Sequence, residues 1–358
     1  MADSLEPIPA LPPTAPDALG GTAISAELIP PELWAAAGSR LVGQSLPDVE
    51  IAGQRLVDAA PEVGLDFNLC WGVIDPDANA KPRVRQACLG VLSEGRTGMM
   101  FLSEPPRNGD PGGAARGAAE RAACIEAACA GLLARFPGRV QLAQALPDPA
   151  EAWALSAYKR AGFTHITTLH SLRRPAVVRM DAKLRGLMVL APAHSWPKGV
   201  RVARADEVGT DADRLLLQAL EATYEQTLDC PELCGMRTTE DVLASHKAAG
   251  TFDPALWWLL ELDGKPEGCC LITASPAQRA LELVYLGLSP RVRGLGLGKR
   301  LLALGIAHST AHHRAWPVHC AVDQRNAPAR KLYERFGFEE TGRREALVRV
   351  LGGVPRNE

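Results

Sequence analysis

The sequence has no excess of positive charge: 39 lysines and arginines face 41 aspartates and glutamates, for a formal charge of −2. A chain built to hold DNA or an anionic membrane needs a basic face, so neither nucleic acid nor membrane is expected as a partner. Aromatic residues are scarce, 18 in 358, which argues against stacking platforms for single strands. No apolar run approaches the roughly 18 residues of a membrane-spanning helix. Met1 to Glu6 is acidic where a secretory leader is basic, and no apolar core follows it, so no leader is predicted. Paired cysteines are missing too. The nine form an odd set, and most (Cys70, Cys88, Cys269, Cys270, Cys320) lie inside apolar segments. Small buried hydrophobes of that kind fit a reducing cytoplasm, which is the expected location. Cys230 and Cys234 stand close but lack a second pair or a histidine at ligand spacing, so no metal is expected.

What is present is a soluble composition, 47% apolar and 22% charged, at a length that suits two domains. Seven prolines among residues 1–31 predict a disordered tail over 1–24. A second irregular stretch, 176–198 with Pro192 and Pro197, reads as a linker between domains at 25–175 and 199–358. The two domains share a pattern. Ala157-Tyr158-Lys159-Arg160-Ala161-Gly162-Phe163 recurs 175 residues later as Leu332-Tyr333-Glu334-Arg335-Phe336-Gly337-Phe338. Each copy reads as a helix stopped by glycine and followed by a strand (Thr164–Leu172 and Glu339–Leu351). Upstream, Ile125, Cys129, Leu132, Leu133 and Phe136 recur at helical spacing, and Leu301, Leu302 and Ile306 begin a second such helix. Strand runs precede both: Cys70–Ile74, Gln86–Leu92 and Gly98–Leu102, then Trp257–Glu261, Gly268–Thr273 and Leu281–Leu288. A common element order predicts a duplicated α/β (α+β) domain.

The segment from Leu281 to Leu302 carries the chemistry. An apolar strand runs through a short turn into Arg293-Gly294-Leu295-Gly296-Leu297-Gly298-Lys299 and then a helix. Glycines at a helix entrance let several backbone N–H groups converge on one spot, where the helix dipole adds positive character; a diphosphate is the natural occupant. Two familiar phosphate loops fail on spacing. A Walker loop needs glycine at 293 and Ser or Thr at 300, both of which are Arg here, and the dinucleotide fingerprint needs glycine at 299 or 301.

Arg293-x-x-Gly296-x-Gly298 after an apolar strand resembles the acyl-CoA signature of the GNAT N-acetyltransferase superfamily. The downstream block Asn326-x-x-Ala329-x-x-Leu332-Tyr333-x-x-x-Gly337-Phe338 is similar to that family's second motif. The resemblance covers about residues 200–352. It implies two tandem GNAT-like domains, each a mixed, mostly antiparallel twisted sheet flanked by helices. The first domain resembles the fold alone: its loop, Pro105 to Gly113, lacks the Arg-x-x-Gly-x-Gly spacing, and the asparagine position falls on Glu151. A degenerate module beside a catalytic one is similar to the arrangement in mycothiol-synthase-like members.

The resemblance implies acetyl-CoA as cosubstrate and, as acceptor, a small-molecule or peptide amine that attacks the thioester directly. The diphosphate is expected on the backbone of Arg293, Gly294, Leu295, Gly296, Leu297, Gly298 and Lys299, with the Arg293 side chain nearby. Leu286, Gly287 and Leu288 are expected to pair with the pantetheine arm like an added strand. Asn326 is expected to cap the helix beginning at Ala327-Pro328 and to contact the cofactor. Tyr333 matches the family's general acid for the leaving thiolate, although a tyrosine packed beneath the sheet, as Tyr158 is expected to be, explains the same residue. Glu282, a lone carboxylate in an apolar strand, is the candidate base; the competing role is a carboxylate facing solvent or an arginine. Glu221, Glu225, Asp229 and Glu232 share one face if the segment is helical, and 221–241 holds six acids against Arg237. A solvated face explains them, and a wall for a cationic amine is the alternative. A non-catalytic acyl-CoA binder stays open as a reading of the whole chain.

Overall fold

Long apolar runs become strands because alternate side chains can then pack on both faces of a sheet. The computed structural model describes residues 24–43, 46–75, 82–176, 196–313 and 315–352. Its strands are β1 Glu27–Leu28, β2 Cys70–Asp75, β3 Arg83–Ser93, β4 Thr97–Leu102, β5 Leu142–Ala145 and β6 Thr164–Arg174. They continue with β7 Val200–Arg204, β8 Trp257–Leu262, β9 Lys265–Ser275, β10 Ala280–Leu288, β11 Val318–Asp323 and β12 Glu339–Val350. Apart from residues 24, 176 and 196–198, the predicted tail and linker lie outside the described residues.

The chain divides into two compact units. Unit 1 is Met1–Leu92, Arg96–His165 and Leu347–Gly353; unit 2 is Ser93–Gly95, Ile166–Ala346 and Val354–Glu358. Each has the mixed, mostly antiparallel sheet with flanking helices expected from the sequence. In unit 1, β1, β2 and β3 are antiparallel neighbours and β4 runs parallel to β5. The sheet is completed from the far end of the chain: Leu347–Val350 pairs antiparallel with Leu142–Ala145. Helix Ala114–Arg135 buries Cys124, Ile125, Ala128, Cys129 and Leu132 against it. Leu133 departs from the predicted core face and is 37% exposed, and Phe136 follows the last helical residue.

In unit 2, β7, β8, β9 and β10 form an antiparallel meander. The β8–β9 turn uses Asp263 and Gly264, both at positive φ, as a tight two-residue hairpin requires. β10 runs parallel to β11, and β11 pairs antiparallel with β6, which comes from the end of the first repeat. Helix Leu297–His312 packs Leu297, Leu301, Leu302 and Ile306 with Ile272, Leu281 and Leu283. Helix Ala212–Tyr224 sets Leu216, Ala219 and Leu220 among Trp257, Leu259 and Leu271 in a separate apolar cluster.

Candidate active site

β10 and β11 pair at only two positions, Leu281 with Val318 and Glu282 with His319. Beyond them β10 shifts register against β9 between Leu283 and Tyr285, and the space beside β11 opens. A cleft of about 1030 Å³ begins there, walled by Leu283–Leu288, Ala321, Val322 and the glycine loop. Its size exceeds what a small metabolite needs and suits a long ligand.

The loop is built by constraint at both ends. Pro290 starts a single 3₁₀ turn, and the Val292 and Arg293 N–H groups both donate to Ser289 O, at 3.1 and 3.2 Å. The chain then crosses Gly294 and Gly296 at φ +76° and +74°, a region that disfavours any side chain. Gly294, Leu295 and Gly296 N–H meet no acceptor among the described residues. Leu297, Gly298 and Lys299 form the first turn of their helix, where no preceding carbonyl is in reach. The unsatisfied amides therefore begin at Gly294.

The Arg293 guanidinium has a different set of partners from the one expected. It donates to the carbonyls of Leu288 (2.8 Å), Thr223, Glu225 and Gln226 (2.9 Å each). Three of those oxygens close the C-terminal end of helix Ala212–Tyr224. Arg293 thus ties helix, strand and loop together, and satisfies carbonyls that a helix end leaves open.

Of the predicted site residues, Leu286, Gly287, Leu288, Arg293, Gly294, Gly296, Leu297, Gly298, Lys299, Asn326 and Tyr333 line the cleft. Leu295 and Glu282 do not. Leu295 is 65% exposed. Glu282 shares a row with Thr273 on β9 and His319 on β11, and paired residues share a sheet face. Burial pushes its carboxyl above the usual range. Thr273 Oγ1 and His319 Nε2 in that row are buried without a partner among the described residues.

Tyr333 and Tyr158 separate cleanly. Both rings pack on the phenylalanine five residues later, with centroids 5.4 and 5.2 Å apart. The Tyr158 hydroxyl donates to Met100 O at 2.9 Å and is structural. No hydrogen bond among the described residues holds the Tyr333 hydroxyl, and Tyr333 faces the cleft. Burial pushes its phenol well above its ordinary value, so it stays protonated. Asn326 Oδ1 accepts Ala329 N–H at 3.2 Å and caps the helix that carries Tyr333.

The acidic segment after residue 224 is not a helix face. The helix stops at Tyr224, and Gln226 and Cys230 take positive φ. Asp229 is exposed, as the solvated-face reading expected, and it also lines the cleft. Its Oδ1 accepts Asp323 N–H at 3.0 Å, while Asp323 Oδ2 accepts Cys230 N–H at 3.0 Å. Although Asp229 is exposed, the part of its carboxyl turned toward the protein loses water, which pushes its pKa up despite the bond from Asp323 N–H. Desolvation acts on Asp323 in the same direction, but bonds from Arg325, Thr167 and Cys230 N–H outweigh it and bring it to about 2. Pro231 and the lack of apolar periodicity after Tyr224 were the sequence signals for this loop.

Unit 1 shows the opposite arrangement where β4 leads to its helix. Asp110 takes two bonds of 2.9 Å from Arg121 and one of 2.9 Å from Gln86. Its carboxyl lies over the helix's first turn, where a Cβ on Gly117 would be 2.0 Å from Asp110 Cγ. An internal anion occupies that helix start.

Residues 216–338 match the acetyltransferase (GNAT) family. A mycothiol acetyltransferase from Thermomonospora curvata is 34% identical over 192 residues, 53% of this chain and 57% of that protein. One from Acidothermus cellulolyticus is 32% identical over 226 residues, 59% and 62% of the two chains. The chain thus spans little more than half the length of these curated relatives. A GCN5-related N-acetyltransferase from Sphaerobacter thermophilus shares the fold, with TM-score 0.55 and 19% identity over 92% of this chain and 96% of that one. The family match thus lies within residues 216–338, and the likeness of the whole chain to solved structures is one of fold.

Proposed function

We propose that this chain transfers an acetyl group from acetyl-CoA to a primary amine, with residues 199–358 catalytic and 25–175 a scaffold. The observation that carries this reading is the run of unsatisfied amides from Gly294 to Lys299 opening into a cleft that also holds the unbonded Tyr333 hydroxyl. The residues fit the cosubstrate. Backbone N–H groups and Lys299 suit a diphosphate. Leu286, Leu288, Ala329 and Leu332 offer an apolar wall to the pantetheine arm. Bound acetyl-CoA supplies the activated acyl group. Around Leu286 the side of β10 away from β9 has no β11 partner, so its backbone is available to pair with the arm and polarise the thioester carbonyl.

Tyr333 donates the proton that the departing thiolate needs. Burial lifts this phenol further above the ~8.5 of a thiol, so the transfer depends on the position in which the capped helix holds Tyr333. Glu282 accepts the amine's proton through water, its raised pKa making it a stronger base than an ordinary carboxylate. The relatives' name makes a mycothiol-type amine the first acceptor to try. One observation favours a second reading, an acyl-CoA binder without turnover: Glu282 is not part of the cleft wall. Direct acetyl-CoA titration alongside CoA release over an amine panel separates the two. Turnover with any amine supports transfer; binding without turnover across a broad panel supports the binder; absence of binding defeats both.

A further inference from the structure

Helix Ala327–Arg335 turns more than one side to the cleft. Successive residues of a helix are about 100° apart round its axis. Starting from Tyr333, the lining positions met in turn are Ala329, Leu332, Pro328, Arg335 and Lys331, at about 40°, 100°, 140°, 160° and 200°. The order is chemical as well as angular: a phenol, then an apolar stretch, then two cations. Exposure follows the same course. Tyr333 is buried, Ala329 and Leu332 are half-buried, and Pro328, Arg335 and Lys331 are exposed. A ligand laid across this surface meets a proton donor at its inner end and positive charge at its outer end.

The cations of the cleft differ in what they already hold. Among the described residues Arg293, Lys299, Lys331 and Arg335 line it, against one carboxylate, Asp229. Arg293 is committed to four carbonyls. Lys299 sits in the first helical turn, beside the free amides. Lys331 and Arg335 have no hydrogen bond or ion pair among the described residues. Arg330, on the same helix but outside the cleft wall, donates instead to Gln324 O at 3.2 Å. Like charges four residues apart repel across one helical turn, and an anion held by both relieves that repulsion. Acetyl-CoA carries a diphosphate and, separately, a phosphate monoester on its ribose 3′ oxygen. The amides from Gly294 onward account for the diphosphate and leave the monoester without a partner. We infer that Lys331 and Arg335 bind the ribose 3′-phosphate and so select acetyl-CoA over carriers that share its thioester arm but lack that group. This rests on the cosubstrate of the transferase reading and adds to it the residues that recognise the outer end.

The test titrates the full chain calorimetrically with acetyl-CoA and with acetyl-3′-dephospho-CoA. The wild type is expected to bind acetyl-CoA at least about fivefold more tightly, the effect of two exposed charge contacts. Lys331→Gln combined with Arg335→Gln should bring that ratio below about two, by weakening acetyl-CoA binding alone. Both side chains are exposed, so the double variant should keep its fold. Arg330→Gln removes a charge from the same helix and should leave the ratio unchanged, which separates a local contact from the general field of the helix. A role for Arg335 only in stabilising its helix end predicts a lower Tm with the ratio intact. A wild-type ratio below about fivefold, a ratio that the double variant keeps, or an equal loss in Arg330→Gln overturns the inference. Failure of the wild type to bind either compound instead overturns the reading beneath it.

Discussion

Replacing Gly296 by alanine isolates the loop's conformation from its contacts. The residue sits at φ +74°, and a Cβ there would touch nothing within 4 Å, so the substitution introduces strain without a clash. Holding an L-residue in the left-handed region costs about 1–2 kcal/mol. If the strained loop relaxes into a shape that no longer converges its amides, acetyl-CoA binding loses that energy, roughly a 5- to 30-fold rise in Kd at about 1.4 kcal/mol per tenfold. Gly264 supplies the control. It has φ +76° and equally open surroundings, but it lies in the β8–β9 hairpin and does not line the cleft. For a unit of this size 1–2 kcal/mol corresponds to a Tm drop of about 2–8 °C. Both variants should melt earlier by similar amounts, and calorimetric titration should show weakened acetyl-CoA binding for Gly296→Ala alone. Equal Kd values in the two variants would refute the assignment of the loop as the diphosphate site.

Three further substitutions probe other parts of the chain. Tyr333→Phe should lower kcat by about 10²-fold or more without weakening acetyl-CoA binding, whereas Tyr158→Phe, losing the bond to Met100 O, should cost about 1 kcal/mol of stability and leave turnover alone. A rate unaffected by Tyr333→Phe would remove it as the acid. Glu282→Gln should keep acetyl-CoA affinity and lose rate. Because burial raises the Glu282 carboxyl, the wild-type acid limb of kcat/KM should fall at a pH above the ordinary carboxylate range, and the variant should lack that limb; a superimposable profile would exclude Glu282. Asp110→Ala strands the Arg121 guanidinium, 4% exposed, and should destabilise the protein by about 3–5 kcal/mol in chemical denaturation. A change under 1 kcal/mol would show that the pair is dispensable.

The sequence revealed what local pattern can encode. Long strands such as β9 and β10 announce themselves by apolar runs, the glycine loop by its setting between strand and helix, and Asn326 by standing before Ala-Pro. Arg293 shows where this ends: its type and position fit an anion site, but three of its four carbonyl partners lie 67–70 residues away and leave no trace in spacing. Asp229 was obscured because acids three and four apart mimic a helix face, and only the break at Tyr224 turns it into the cleft. The pairing of Leu347–Val350 with β5 is equally invisible. A strand's own pattern says which face it buries but does not name its neighbour.

That late partner bears on how the protein is made. In a nascent chain emerging from the ribosome, β4 and β5 can associate early, but the other edge of β5 waits for residues 347–350, some 200 positions later. At ~5–20 residues per second this delay is about 10–40 s. Throughout that interval β5 offers bare backbone to any passing strand. The N-terminal unit therefore finishes folding only after residues 347–350 have emerged, and expression of residues 1–175 alone should yield material that clumps rather than an independent domain.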